Sequence, residues 1–353
     1  MAIANSDQRP AREIYPTRVL FVTLGDPLNT ADNDIVVRLR AAGIGCDQLV
    51  LPYRKRWQRL IEACWAARHI KNYDVVITNE YNNAFIFTLV GLFLSNDAKN
   101  IIIGMNLSGR ALKFGFPPID RAINKVFQNL SRIIVHSREE IDLFCSLHNI
   151  PRTKFIFSSW GFDVPTYSDP TGNFNLETPR YFCMIGRNNR DFTTFLEALT
   201  YCDVDGVIIC GKDAKITASD TNRLRVFHDL SMEECAACVK YSLANVILVN
   251  DANRGAGHIT AVMGMQFAKP HIFSDVLTLR DYLIPDKHGI GVKLNDVNEV
   301  KKAMLKLLNN ADVATGFGEA AQNDAQTIHS HAASQNRIYE IITSELNLQD
   351  NLM

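Results

Sequence analysis

Short apolar runs recur along the chain, bounded by glycine, proline or polar residues, and most are followed by a stretch with apolar positions at helical spacing. The first run, residues 18–24 (RVLFVTL), is continuously hydrophobic, which predicts a strand buried on both faces of a parallel sheet. It breaks at Gly25-Asp26-Pro27, and a helical pattern over about 30–42 follows, with Thr30 or Asp32 as its expected cap. Strands are expected next at 45–51, 74–78, 100–105, 132–136 and 154–157, with an apolar stretch over 82–94 between them.

Residues 161–179 (GFDVPTYSDPTGNFNLETP) are rich in proline, glycine and small polar side chains and read as a linker. A second series follows, with strands at 181–185, 206–210, near 224–227, 246–249, 270–274 and 289–293. Helices are expected near 192–201 and at 231–242, 258–267 and 297–308; Ser231 followed by Glu234 forms a capping box for the second of these. A last helical stretch, about 316–346, has no strand after it. Strands alternating with helices predict doubly wound parallel sheets. The expected fold class is therefore α/β, two Rossmann-like domains facing a cleft. Residues 1–162 form the first domain, 163–179 the linker and 180–315 the second, with 316–353 a helical segment that could cross back to the first. Right-handed crossovers gather the strand C-termini of each sheet along one edge, which makes the cleft the default ligand site.

A length of 353 residues suits two domains. At 47% hydrophobic and 21% charged residues the chain is too apolar to be disordered. Lysine plus arginine (37) balance aspartate plus glutamate (38), which argues against a nucleic-acid partner but leaves room for local basic patches. Of eight cysteines only Cys235 and Cys238 have C-x-x-C spacing, and no second pair accompanies them, so buried free thiols in a reducing compartment are expected, not zinc. The polar stretch 1–16 does not read as a secretion signal, and the longest apolar run, 84–94, is short of the ~20 residues a spanning helix needs. A cytoplasmic protein is expected.

Two segments carry candidate chemistry. In 185–192 (IGRNNRDF) a strand ends, Gly186 permits a tight turn, and Arg187 and Arg190 precede a helix. Two guanidinium forks beside a helix N-terminus suit a diphosphate. Two surface arginines with Asp191 as a helix cap fit the same residues. In 250–270 a strand ends at Asn250-Asp251, and a loop with Gly255 and Gly257 leads into a helix beginning His258-Ile259-Thr260. Backbone N–H groups of 257–260 would form an anion nest, to which Thr260 adds a hydroxyl and His258 an imidazole. A turn that only packs the helix on its sheet is the plainer alternative.

The second half resembles the donor-binding domain of the glycosyltransferase family 4 group, within the GT-B fold. The resemblance rests on an ordered set: FCMIGRNNRDF, VIICGKD, VILVND, the glycine-rich loop with GMQFAKPHIFSD, DKHGIGV and NDVNEVKKAMLKLL. The first half resembles the family more loosely, through IIVHSREEIDLFCSLHNIPRTKFIFSSWGFD. The resemblance implies transfer of a sugar from a nucleotide diphosphate sugar, a UDP-sugar being favoured, to a glycan or polyprenyl-linked acceptor in polysaccharide or glycoconjugate synthesis. It implies retention of configuration, with the leaving phosphate taking the acceptor proton. No D-x-D motif is present, so no metal is expected. Arg187, Arg190 and the N–H groups of Gly257–Thr260 would stabilise the leaving diphosphate.

The family's Glu-x7-Glu pair is missing: those positions hold Gly255 and Met263. The family's lysine after Gly-Arg is also absent, with Arg190 as its candidate replacement. Asp251, Asp275 and Asp281 are candidate substitutes for sugar and ribose recognition. In the first half, Asp26 and Glu80 are candidate catalytic carboxylates, either of which could equally be a cap or a loop residue. Gly25 and Asn106 are candidates for lining the donor site.

Residues 53–71 (YRKRWQRLIEACWAARHIK) mix a basic cluster, Arg54 to Arg59, with Trp57, Leu60, Ile61, Cys64 and Trp65 at helical spacing. The stripe is expected to pack on the first sheet; the alternative is an interfacial helix on an anionic membrane, on the inner face of the plasma membrane, with 114–118 as a second lipid-facing region. Two rival functions share the fold class: a nucleotide-sugar 2-epimerase and a non-catalytic sugar-nucleotide or glycan-binding protein.

Overall fold

The computed structural model describes residues 17–25, 32–52, 56–68, 70–94, 97–105, 114–164, 180–214, 216, 223–252 and 255–347. The chain forms two compact units, one of residues 1–158 with 335–353 and the other of residues 159–334.

The first unit contains β1 (Arg18–Gly25), α1 (Asp34–Ala41), β2 (Gly45–Pro52), α2 (Arg56–Ala67), β3 (Val75–Asn79), α3 (Tyr81–Phe93), β4 (Lys99–Ile103), α4 (Pro117–Gln128), β5 (Arg132–Val135), α5 (Glu139–His148) and β6 (Phe155–Phe157). Its six strands are all parallel, in the order β2-β1-β3-β4-β5-β6. Alternate residues of each strand bury on opposite faces. Val19, Phe21, Val75, Ile77 and Ile101 pack with Ile35, Val36 and Leu39 of α1. Leu20, Val22 and Val76 pack instead with Ala63, Ala66 and Ala67 of α2 and Phe87 of α3. This double burial explains the uninterrupted apolar runs in the sequence.

The second unit contains β7 (Tyr181–Ile185), α6 (Phe192–Leu199), β8 (Asp205–Cys210), β9 (Leu224–His228), α7 (Met232–Lys240), β10 (Ala244–Ile247), α8 (His258–Gln266), β11 (His271–Ser274), α9 (Leu277–Arg280), β12 (Gly289–Val292), α10 (Val297–Asn309) and α11 (Ala311–Thr327). Six parallel strands run in the order β12-β11-β10-β7-β8-β9. One face of this sheet carries Phe182, Met184, Ile208 and Val246 against Phe195 of α6 and Met304 of α10. Tyr181, Cys183 and Val207 meet α7 and Met263 of α8 on the other.

Several boundaries differ from the sequence pattern for local reasons. The first helix is capped by Asn33, whose side chain accepts from the Ile35 N–H, in place of Thr30 or Asp32; Asp32 instead pairs with Arg40 at 2.5 Å. Thr30 lies outside the described residues. The strand expected at 246–249 is Ala244–Ile247. The expected capping box stands: Ser231 and Glu234 each accept from the other's backbone N–H.

The last helical stretch, expected over about 316–346, is two helices, α11 and α12 (His331–Asn347). Ala321 and Ala325 of α11 bury in the second unit. Ile338, Ile342 and Leu346 of α12 bury on the first-unit sheet beside α1. Glu345 of α12 accepts from Arg132 at 2.5 Å, and its carbonyl accepts from the Lys99 ammonium at 3.1 Å.

Candidate functional site

In an open parallel sheet, loops leave in opposite directions where the strand order reverses, and a crevice opens at the strand C-termini there. In the second unit that point lies between β7 and β10, because the chain proceeds from β7 to β8 and β9 on one side and from β10 to β11 and β12 on the other. Both candidate segments of this unit sit there: Gly186, Arg187 and Arg190 after β7, and Asp251, Gly255, Gly257, His258, Ile259 and Thr260 after β10.

The two loops are tied together. The Asn189 amide donates to the Asp251 carbonyl at 2.9 Å and accepts from the Asp251 N–H at 2.9 Å. The Asn250 amide donates to the Arg190 carbonyl at 2.9 Å, and the Asp191 N–H donates to Leu248 at 3.0 Å. Asn189 has φ 50°, a left-handed conformation that asparagine tolerates better than most residues. Neither asparagine was singled out by sequence pattern; the Asn-Asn pair after Gly-Arg was the available turn signal. Asp191 caps α6, accepting from the Thr194 N–H at 3.0 Å.

The two arginines diverge. Arg190 folds back over the turn: its Nε donates to Ile185 at 2.9 Å and its Nη1 donates to the carbonyls of Asn188 at 3.0 Å and Asn189 at 3.3 Å. A Cβ on Gly186 would lie 2.3 Å from Nε of Arg190, so the glycine makes room for the guanidinium. Burial pushes Arg190 down to about 10, which leaves it a cation at neutral pH. Its hydrogen bonds run to carbonyls, which orient the charge without neutralising it. Arg187 turns the other way, toward the ends of β8 and β9, where it shares Asp229 with Lys212 at 3.7 and 4.0 Å. It is exposed.

Helix α8 starts at Gly257, whose φ is 96°. A Cβ there would stand 2.7 Å from Ile247 and 3.7 Å from Nη2 of Arg190. Glycine is thus required by both conformation and space. It brings the first turn of α8, with N–H groups that have no acceptor within the helix, beside the Arg190 cation. Nε2 of His258 donates to the Thr278 carbonyl at 3.0 Å, and Ile259 is exposed while Thr260 is buried. A helix N-terminus, a glycine loop and a fixed guanidinium on one edge form an anion-binding arrangement.

Among the other candidates, Met263 packs in the core against Tyr181 and Cys183, which explains why no carboxylate stands there. Asp275 is held in a two-point pair by Arg280 at 2.6 and 2.7 Å, and this pair depresses its pKa. Cys235 and Cys238 are buried free thiols, and burial pushes Cys235 up to about 11.

In the first unit the strand order reverses between β1 and β3, where Gly25 and Glu80 stand. The Asn79 amide bridges to the Thr23 hydroxyl at 3.5 Å. Glu80 has φ 82° and ψ 138°, at the N-cap of α3 without a capping hydrogen bond from its side chain. Such a backbone costs roughly 1–3 kcal/mol and is concentrated at functional loops. Asp26, Asn106 and Arg254 lie outside the described residues, as do Arg54 and Lys55.

Helix α2 corrects the expected packing for Ile61, Cys64 and Trp65, whereas the side chains of Trp57 and Leu60 lie outside the described residues. Ala63, Ala66 and Ala67 face the sheet, while Ile61, Cys64 and Trp65 are exposed. Phe114 and Phe116 are exposed as well. No helix among the described residues is long and apolar enough to cross a membrane.

No family model and no curated protein matches the chain. Solved structures do. HepE from Anabaena, in complex with UDP, superposes with a TM-score of 0.68 at 11% identity over 93% of this chain and 100% of its own. Sucrose-phosphate synthase from Thermosynechococcus elongatus has a TM-score of 0.68 at 15% identity, covering 94% and 100%. A Listeria monocytogenes protein described as a UDP-N-acetylglucosamine 2-epimerase has a TM-score of 0.57 at 10% identity, covering 94% and 97%. The parallel sheets, their strand orders and these likenesses agree: the chain has the two-domain α/β GT-B fold found in nucleotide-sugar glycosyltransferases.

Proposed function

We propose that the chain is a glycosyltransferase that takes a sugar from a nucleotide diphosphate sugar, with a UDP-sugar as the favoured donor. The observation that carries this reading is the Arg190 guanidinium held beside Gly257 at the start of α8. HepE, with the same fold, has been solved with UDP-glucose, which supports a nucleotide-sugar donor.

The chemical problem is departure of the diphosphate, which leaves with growing negative charge. Donors already in place stabilise that charge without reorganisation. Arg190 and the N–H groups of Gly257–Thr260 meet the phosphates from the β10 side, and Arg187 reaches from the β8 side. In a retaining reaction the departing phosphate oxygen takes the acceptor proton while the acceptor oxygen bonds to the anomeric carbon, so no separate base is required. Glu80 or Asp26 is the candidate base for an inverting course. The acceptor is a glycan or a polyprenyl-linked saccharide handled by the first unit. The exposed Ile61, Trp65, Phe114 and Phe116 support peripheral contact with an anionic membrane.

The Listeria likeness supports one rival, 2-epimerisation on the same fold. Incubation with a panel of labelled nucleotide sugars and a membrane extract separates the two. Label transferred to lipid or glycan is the expected result. An epimerised nucleotide sugar formed without acceptor would replace the transferase reading with the epimerase one, and nucleotide binding without turnover would leave only a binding protein.

A further inference from the structure

The half-buried imidazole at the first turn of α8 is one end of an aromatic stack whose other two rings are buried. The His258 ring lies on Tyr282 with centroids 4.4 Å apart and planes 14° from parallel. Tyr282 lies in turn on His329 at 5.2 Å and 24°. Tyr282 is 1% exposed and His329 3%.

The far end of the stack is fixed to the backbone. The Trp160 N–H donates to the Tyr282 hydroxyl at 2.7 Å, and Nδ1 of His329 donates to the Trp160 carbonyl at 3.2 Å. The Phe162 N–H donates to the His329 carbonyl at 3.1 Å. A Cβ on Gly161 would stand 2.6 Å from the Ser330 carbonyl oxygen, so the two segments touch backbone to backbone. These segments adjoin the places where the chain leaves one compact unit for the other, after Ser158 and after Ser334. Aliphatic side chains could fill the same volume without polar groups to desolvate. Here each end of the stack is instead anchored by a directed hydrogen bond, His258 to the Thr278 carbonyl of α9 and His329 to the Trp160 carbonyl.

We infer that Tyr282 is a positioning residue for the donor site. Its ring holds the His258 imidazole at the first turn of α8, and its hydroxyl links the occupancy of that turn to Trp160, where the chain passes between units. The inference rests on the donor-site reading above.

Two measurements test it. The first is a double-mutant cycle read by calorimetry, with the nucleoside diphosphate that binds best among UDP, GDP, ADP and dTDP. Tyr282→Leu should weaken binding by roughly three- to tenfold, as expected for a lost stacking contact. Tyr282→Phe keeps the ring and should restore affinity to within about twofold of the native protein. In a His258→Ala background, Tyr282→Leu should cause no further loss, since the ring it positions is gone. A merely structural role predicts the same loss in both backgrounds, and that result overturns the inference. The second uses Trp160 fluorescence in a Trp57→Phe, Trp65→Phe protein. Saturating nucleotide should change its emission, and Tyr282→Phe, which lacks the hydroxyl, should abolish the change. An unchanged response in Tyr282→Phe overturns the link to Trp160. Failure of the native protein to bind any of the four nucleotides would overturn the donor-site reading itself, and the inference with it, whereas binding without coupling overturns the inference alone.

Discussion

Asn189 and Asp251 hold each other through a pair of 2.9 Å hydrogen bonds, amide to carbonyl and N–H to amide oxygen, across the point where the second sheet reverses its strand order. This pairing sets the distance between the loop that carries Arg190 and the loop that leads to α8. Asn189→Ala removes both bonds and places alanine at a left-handed φ, so it should lower stability by about 1–3 kcal/mol. Asn189→Gly removes the same bonds without the conformational penalty and should be the milder change. Chemical denaturation of the two variants checks the order.

Gly257→Ala should be more damaging to binding than to folding. The added methyl meets Ile247 and the positive φ resists a side chain, so about 1–3 kcal/mol of stability is expected to go. Relief of the clash with Ile247 and Leu279 displaces the start of α8 relative to Arg190. Nucleotide affinity should then fall by at least about tenfold when measured on folded protein at low temperature. Unchanged affinity would show that α8 does not contribute to the site.

The two arginines should separate by role. Arg190 is fixed by three carbonyl-directed hydrogen bonds, whereas Arg187 is exposed and shares Asp229 with Lys212. Arg190→Lys keeps the charge but loses the fork, and kcat/KM with the nucleotide sugar should fall roughly a hundredfold. Arg187→Lys should cost less than about tenfold, because its point of contact is a flexible surface group. Steady-state kinetics on the two variants test this ranking.

How much of this could be read from sequence depended on the range of the interactions. The apolar runs of β1, β7 and β8 announced doubly buried strands, and Ser231 with Glu234 announced a cap, because each signal is local. Gly186, Arg190 and Gly257 could be placed at the turns after β7 and before α8 for the same reason. The opposite directions of Arg187 and Arg190 were not legible, since they depend on Asp229 of one neighbouring strand end and Gly257 beyond the other. Tyr282 and His329 were silent because stacking pairs residues that no sequence period relates. In α2 the helix was expected, but Ile61, Cys64 and Trp65 do not face the sheet as their spacing suggested. The close approach of α2 to its sheet selects Ala63, Ala66 and Ala67 and turns Ile61 and Trp65 outward.

Stability should decline as the solution is acidified below neutrality. His271 is fully buried, and burial pushes its pKa down to about 4 against the carbonyl contacts of Ala261 and His288 that favour its protonation. The unfolded chain takes up that proton near the ordinary value of 6.5, before the folded chain does. The stabilisation is therefore complete above about 6.5 and is lost as pH falls toward about 4, a loss of about 3 kcal/mol from this group. Half-buried His136 and buried His288 shift in the same direction through desolvation and add to it. Denaturant midpoints between pH 7.5 and 4.5 check the slope (roughly the span the linkage predicts), and His271→Gln should flatten it.

The central claim is that a nucleoside diphosphate binds at the junction of β7 and β10, with its phosphates between Arg190 and the first turn of α8. Calorimetric titration of the native protein and of Arg190→Met with UDP, GDP, ADP and dTDP tests it most directly. The account predicts saturable binding of at least one of the four, UDP being favoured, and a loss of at least about tenfold in affinity in Arg190→Met when both proteins are titrated below their unfolding transitions. Equal affinity in the two proteins, or no binding of any of the four by the native protein, would contradict it.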